Sequence, residues 1–295
     1  MANLKDIQRQ IKSVSNTEKT TRAMKLVSTA KLRRAEELAR RSRLYADKMN
    51  QVIAEIAGRI KCSKIGGIDN RSFAKIENPQ MVDIVFVTAD KGLCGGFNIQ
   101  TIKTVKRLLK EYQEKNVKVR LRGIGKKGVE FFKYNDVELF DSVIDLSSKP
   151  DKSRADEFIS ASIEDYKDGK IDGLHLVYNG FKNMMTQELH SMQVLPVDPD
   201  MYICDEVQSS VLEIEAQDEE HMLNSLVDRY VEYAMYYALL DSVAAEHSAR
   251  MQAMDTATNN AKDMVKGLKV KFNKARQAAI TTELIEIISG VESMK

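Results

Sequence analysis

After Pro199 this 295-residue chain contains no further proline, and before Gly58 it contains neither proline nor glycine. Proline and glycine are the residues that stop or kink helices, so both ends of the chain are open to very long ones. Over residues 3 to 60, Leu4, Ile7, Ile11 and Val14 step by three and four, as a two-helix seam requires. The step returns at Leu32, Ala35, Ala39, Ala46, Met49, Ile53 and Ile56, and between those blocks it thins to Thr17, Thr21, Met24 and Ser28. Asn3 with Asp6 is suited to cap the start. From about 210 to 293 a second series runs from Leu223 through Tyr230, Tyr237, Ala244, Met251, Thr258, Val265 and Phe272 to Ala279, with a capping box at Ser210 and Glu213. Gly267 stands inside it, at a cost of about 1 kcal/mol against alanine. At 1.5 Å per residue such a helix reaches ~120 Å, so it is expected to project from any globular core.

Two seams at opposite ends of a chain bury each other most simply by antiparallel pairing. Setting residue 58 against about 216 gives paired numbers that sum to roughly 275, which places Met24 near Arg250 and Met251. The final ~20 residues then lack a partner helix, yet carry Ile280, Leu284, Ile285, Ile287, Ile288 and Val291. An apolar tip of that kind needs a sleeve from another molecule.

The middle of the chain has a different rhythm. "VDIVFVT" (82–88) is a short, β-branched apolar run typical of a buried strand. A glycine turn follows, then a helical pattern at 98–115, a strand at 117–123, a short helix in "KKGVEFFKY" and a weak strand near 137–143. A helix at about 153–168 and strands at 171–179 and 189–197 complete the series. Strands alternating with helices predict a mainly parallel sheet with helices packed on it, a Rossmann-like α/β domain. The chain thus reads as an N-terminal coiled-coil helix (1–60) and a linker (61–81) punctuated by Gly66-Gly67, Asn70 and Pro79. A central α/β domain with an acidic connector (82–208) and a C-terminal coiled-coil helix with an unpaired apolar tip (209–295) follow.

Charge narrows the functions available. The net charge is only +2, but residues 1–45 hold 12 Lys/Arg against 4 Asp/Glu, and residues 196–232 hold 11 acidic residues against Arg229 alone. The basic helix carries Arg33, Arg34, Arg40, Arg41 and Arg43 with Tyr45 as its only aromatic residue, and no nucleic-acid reading module accompanies it. Cys62, Cys94 and Cys204 lack CxxC spacing, and His175, His190, His221 and His247 form no ligand-spaced group, so no metal site is expected. Lys5 begins a charged amino terminus unlike a signal peptide, and no apolar run approaches the ~20 residues needed to span a bilayer.

"TADKGLCGGFN" (88–98) has the strand–turn–helix setting of a phosphate cradle, since ligands in open α/β sheets gather at the C-terminal ends of strands. It lacks both GK[ST] and a correctly framed GxGxxG, so we read Gly92, Gly95 and Gly96 as residues of a tight turn. No nucleophile elbow or triad pattern suggests catalysis by this chain.

Three separated stretches resemble, in order, the signatures of the γ-subunit family of F-type ATP synthases. They are "IKSVSNTEKTTRAMKLVSTAKLRRA", "DKGLCGGFN", and "ARMQAMDTATNNAKDM" followed by "NKARQAAITTELIEIISG". The likeness covers essentially the full length and is to the bacterial form, without the cysteine-bearing insertion of the chloroplast form, since Cys204 stands alone. Thr20 departs from the isoleucine common in the family. The resemblance implies a rotor shaft: an asymmetric coiled coil turning inside a ring of alternating α and β subunits, its foot against the ε subunit and the membrane c ring. It implies ring contacts at Met24 and Lys25 on the first helix, at Arg250, Arg276, Gln277, Thr281 and Glu283 on the last, and a lower contact at Lys91 and Cys94. It also implies no cofactor in this chain, Mg-ATP and Mg-ADP being held by partner subunits. Peripheral association with the cytoplasmic face of the bacterial inner membrane, through those partners, completes the expectation. Residues 15–31 would then need small, polar and flexible side chains, because firm docking to any one ring subunit would arrest rotation.

Overall fold

The computed structural model describes residues 4–63, 71–74, 76–197 and 219–294. Its helices are α1 (Leu4–Ser63), α2 (Phe97–Glu114), α3 (Lys126–Tyr134), α4 (Lys152–Lys167) and α5 (Glu219–Glu292), with strands β1 (Met81–Val87), β2 (Lys118–Ile124), β3 (Asp141–Val143), β4 (Gly173–Asn183) and β5 (Thr186–Leu195). A short 3₁₀ turn, Arg71–Phe73, precedes β1. The mixed α/β class with long terminal helices agrees with the sequence reading. Asn3, the Gly66-Gly67 pair, Asn70, Cys204 and the Ser210–Glu213 box lie outside the described residues.

The chain forms two compact units: residues 30–249, and residues 1–29 together with 250–295. The larger holds the sheet, in the order β3-β2-β1-β4-β5. β1, β2, β3 and β4 run parallel. β5 departs from that pattern: it returns antiparallel to β4, with Asn183 opposite Thr186 across a two-residue turn at Met184-Met185. β1 is central and buried on both faces, so alternation divides its side chains between two cores. Ile84 and Phe86 join Ile102, Val105 and Leu108 of α2 and Phe132 of α3. Val85 and Val87 point the other way, toward Phe158, Ile159 and Ile163 of α4, Ile53 and Ile56 of α1, and Leu223 to Leu239 of α5.

An acid sits in the middle of this apolar strand. Asp83 is fully buried, and it accepts two hydrogen bonds from Arg120 at 2.7 and 2.9 Å and one from Ser162 at 2.6 Å. Arg122, 2 % exposed, donates to Ser162, to Asp141 at 2.9 Å and to the Phe158 carbonyl at 2.6 Å. Buried charges persist only when paired and hydrogen-bonded, and these are.

The smaller unit is a helix pair. On α1, Ile7, Thr21 and Ser28 are buried and Leu4, Ile11, Val14 and Met24 half-buried; on α5, Met254 and Ala261 are buried and Thr258, Val265, Leu268, Phe272, Ala275 and Ala279 half-buried. Thr17, read as a seam position, is exposed and turns its hydroxyl to the Ser13 carbonyl, while Glu18 takes the half-buried place. Lys25 meets Asp255 at 2.6 Å, and the Thr21 and Thr258 hydroxyls meet at 2.8 Å. These partners lie four to five residues further along α5 than the apolar register placed them, about one helical turn.

Candidate functional site

Two surfaces and one turn carry the residues singled out above. In the helix pair, Met24 is half-buried and Arg250 is 7 % exposed. Lys25 keeps 37 % of its side chain in solvent and Asp255 keeps 48 %, so their ion pair contributes about 0–1 kcal/mol and opens easily. Sequence reasoning missed Asp255; its four-residue offset from Met251, off the seam, was the available signal. The polar side chains here are largely turned back on their own helices: Thr29 donates to the Lys25 carbonyl at 2.9 Å and Thr258 to the Met254 carbonyl at 2.6 Å.

Beyond Ala279 every described side chain of α5 up to Ser289 is exposed. Ile280, Leu284, Ile285, Ile287, Ile288 and Val291 are each at least 50 % exposed. Ile280, Leu284, Ile287 and Val291 step by four, three and four, with Ile288 and Ile285 beside them. They form one broad apolar face that no described element covers, as expected of a surface awaiting a partner. Arg276, Gln277, Thr281 and Glu283 lie exposed on the same stretch. Thr281 and Thr282 donate to the Gln277 and Ala278 carbonyls, each at 2.9 Å.

The glycine turn belongs to the larger unit, and its architecture is that of a packed corner. Lys91 is exposed, whereas Cys94 is 2 % exposed within a cluster of Ala89, Phe97, Ala245 and Ala249. The Asn98 side chain ties the turn by accepting from the Ala89 amide at 2.9 Å and donating to Cys94 Sγ at 3.3 Å. Of the three glycines only Gly95 adopts a positive φ (58°); the other left-handed residue of the turn is Leu93. The close approach falls instead at Gly125, φ 98°, where a Cβ would lie 1.9 Å from the Thr88 carbonyl. Asp90 accepts from the Lys126 and Asp145 amides at 3.0 and 3.1 Å and from Ser147 at 2.8 Å. Burial pushes the Asp90 carboxyl up, but these donors outweigh it and hold it below the usual range.

At the β1–β4 crevice, where a nucleotide would sit in an open sheet, Asn179 donates to the Phe97 carbonyl at 2.8 Å and to Thr101 at 3.0 Å. The mouth is thereby filled by the chain itself. A cavity of about 150 Å³ lies at the opposite ends of the same strands, lined by Val82, Gly173, His175, Tyr112 and Gln193 among others. Among the described residues no group of three or more His, Cys, Asp or Glu is placed to hold a metal, and no helix is long and apolar enough to cross a membrane.

The ATP synthase family model matches residues 3–294. The chain is 81 % identical over 295 residues to the ATP synthase gamma chain of Sulfurimonas denitrificans, covering 100 % of both chains. It is 59 % identical over 295 residues to that of Nitratiruptor and 53 % over 301 residues to that of Helicobacter pylori, again covering 100 % of each. Among solved structures, it resembles in fold a chain of the Euglena gracilis mitochondrial ATP synthase, with TM-score 0.65, 17 % identity and coverage of 99 % of this chain and 94 % of that one. A second likeness, TM-score 0.58 at 24 % identity over 81 % of this chain and 99 % of the other, is to the central stalk and c ring of the Tetrahymena thermophila enzyme. Full-length identity of this order with gamma chains, together with the long terminal helices and the five-stranded sheet, places the chain in the ATP synthase gamma-chain family.

Proposed function

We propose that this chain is the central rotor shaft of a bacterial F-type ATP synthase, coupling ion-driven rotation of the membrane c ring to conformational cycling of the catalytic β subunits. The observation that carries this reading is the solvent-facing apolar end of α5, a helix exposed on all sides that no other described element covers. A sleeve of α and β subunits supplies the missing contacts. Met24, Lys25, Arg250, Arg276, Gln277, Thr281 and Glu283 touch that sleeve in turn, while exposed Lys91 makes the lower contact and Cys94, buried behind it, holds the turn in shape. The ε subunit and the c ring meet the α/β domain, and membrane attachment at the cytoplasmic face runs through them.

The chain itself does no chemistry on this reading; Mg-ATP and Mg-ADP are held by its partners. A lopsided shaft drives three equivalent sites into different states only through contact energies that differ among those states. Shallow, adaptable contacts suit such a shaft. A half-buried methionine, hydroxyls bonded to their own helix and an easily opened ion pair give low barriers between positions.

The test is assembly. Mixed with α and β subunits, the chain should co-purify as a large ATPase while showing no turnover alone. Turnover or nucleotide binding by the isolated chain through residues 90–98 would overturn the reading.

A further inference from the structure

Leu240 to Ala249 is the most enclosed stretch of α5: eight of its ten residues are buried, and Val243 and His247 are half-buried. A helix covered around its circumference is held from every side. The face made by Ala245, Ser248 and Ala249 is small enough for another backbone to approach closely, and the far end of the β4–β5 hairpin does so.

Three directional bonds join them. The Phe181 amide donates to Asp241 at 3.1 Å; the Ser248 hydroxyl donates to the Met184 carbonyl at 3.0 Å; and the Gln187 side-chain amide donates to Ser248 Oγ at 3.1 Å. The fit leaves no slack, because a Cβ on Gly180 would lie 2.3 Å from Asp241 Oδ2 and 2.7 Å from the His190 ring. Phe181 packs beside Cys94, Phe97, Ala245 and Ala249, so the glycine turn closes on the same segment.

Apolar packing is non-directional and resists sliding poorly, whereas hydrogen bonds fix orientation. We infer that this joint, with Asp241 and Ser248 as positioning residues, locks α5 against turning about its own axis within the α/β domain, and so carries torque from the foot of the rotor into the shaft. The inference rests on the rotor reading and adds the place where force crosses from sheet to helix.

The experiment uses the assembled synthase in ion-tight vesicles, with ATP hydrolysis and ATP-driven membrane potential measured on the same preparation. Asp241→Ala combined with Ser248→Ala should leave hydrolysis near the wild-type rate while the potential per ATP hydrolysed falls, since each bond lost weakens the closed joint by roughly two- to tenfold. Asp241→Asn, which keeps an acceptor for the Phe181 amide, should couple as the wild type does. Unchanged coupling in assembled double-variant complexes would overturn the joint. Should that variant fail to assemble, the single variants decide: a lower potential per ATP in Asp241→Ala or in Ser248→Ala supports the joint, and wild-type coupling in both rejects it. Failure of the wild-type complex to couple hydrolysis to potential would instead reject the rotor reading.

Discussion

Lys25 Nζ lies 2.6 Å from the Asp255 carboxylate, joining the two helices of the smaller unit at the level where their apolar seam is thinnest. Both side chains stay more than a third exposed, so the pair orders the register without holding it firmly. Replacing Asp255 with alanine should therefore cost no more than about 1 kcal/mol in chemical denaturation. In the assembled complex the freed ammonium should make ATP hydrolysis more sensitive to ionic strength. A loss of several kcal/mol would show that the pair is structural instead.

The buried network predicts the opposite magnitude. Asp83→Ala takes from Arg120 one of its two acidic partners, leaving Asp165 at 2.8 Å, and removes the acceptor for Ser162. Breaking a buried pair costs about 3–5 kcal/mol when the surviving charge is left alone. With Asp165 still facing Arg120 the loss should lie toward the lower end, a drop readable as a lowered urea midpoint.

Asp241 gives a pH dependence of definite sign. Burial raises its carboxyl above the ordinary value, against the lowering effects of the Phe181 amide, His190 on β5 and Arg43 on α1; Tyr178 on β4 and Tyr237 on α5 also face it. A carboxyl that holds its proton more tightly when folded favours the folded state below its unfolded pKa. That advantage is lost as pH rises through the folded value. The Asp241→Asn variant has no such proton. Its stability relative to wild type should therefore increase as pH climbs from about 4, the unfolded carboxylate value. A difference that stays flat across that range would contradict burial as the dominant influence.

At Gly125 the backbone itself is the constraint. Alanine there meets both a positive φ and the Thr88 carbonyl, so Gly125→Ala should destabilise by more than the ~1 kcal/mol of an ordinary glycine replacement. Gly92→Ala, with open space around it, should be close to neutral. Parallel thermal melts distinguish the two.

Exposed apolar residues of the tip should matter only in company. Ile285→Ser with Ile288→Ser should change the stability of the isolated chain by no more than about 0.5 kcal/mol per site. Its yield in complexes with α and β subunits should fall, as gel filtration would read.

Much of this architecture is legible in the sequence because two periods dominate it. A heptad step from Leu223 to Ala279 can only be a helix, and the alternating or continuous apolar runs place the strands. What stayed hidden depends on polar partners distant in sequence. The helix register shifted by a turn because Thr21 with Thr258 and Lys25 with Asp255 set it, where the apolar pattern is nearly silent. β5 was read without its direction, since Met184-Met185 offers none of the glycine or asparagine signals of a tight hairpin turn. Asp83 looked like an interruption in a greasy strand because its arginine partner is on the next strand. The burial of Cys94 follows from small residues on α5, about 150 positions away.

Thr281 and Thr282 each turn their hydroxyl hydrogen back onto the carbonyl one turn earlier. Any neighbour seeking a bond from those oxygens' protons must first pull them out of the helix's own ladder. At these two positions the shaft shows a methyl group and a lone pair but no free proton, like a peg with its hook turned inward, and directional grip is left to the charged side chains beside them.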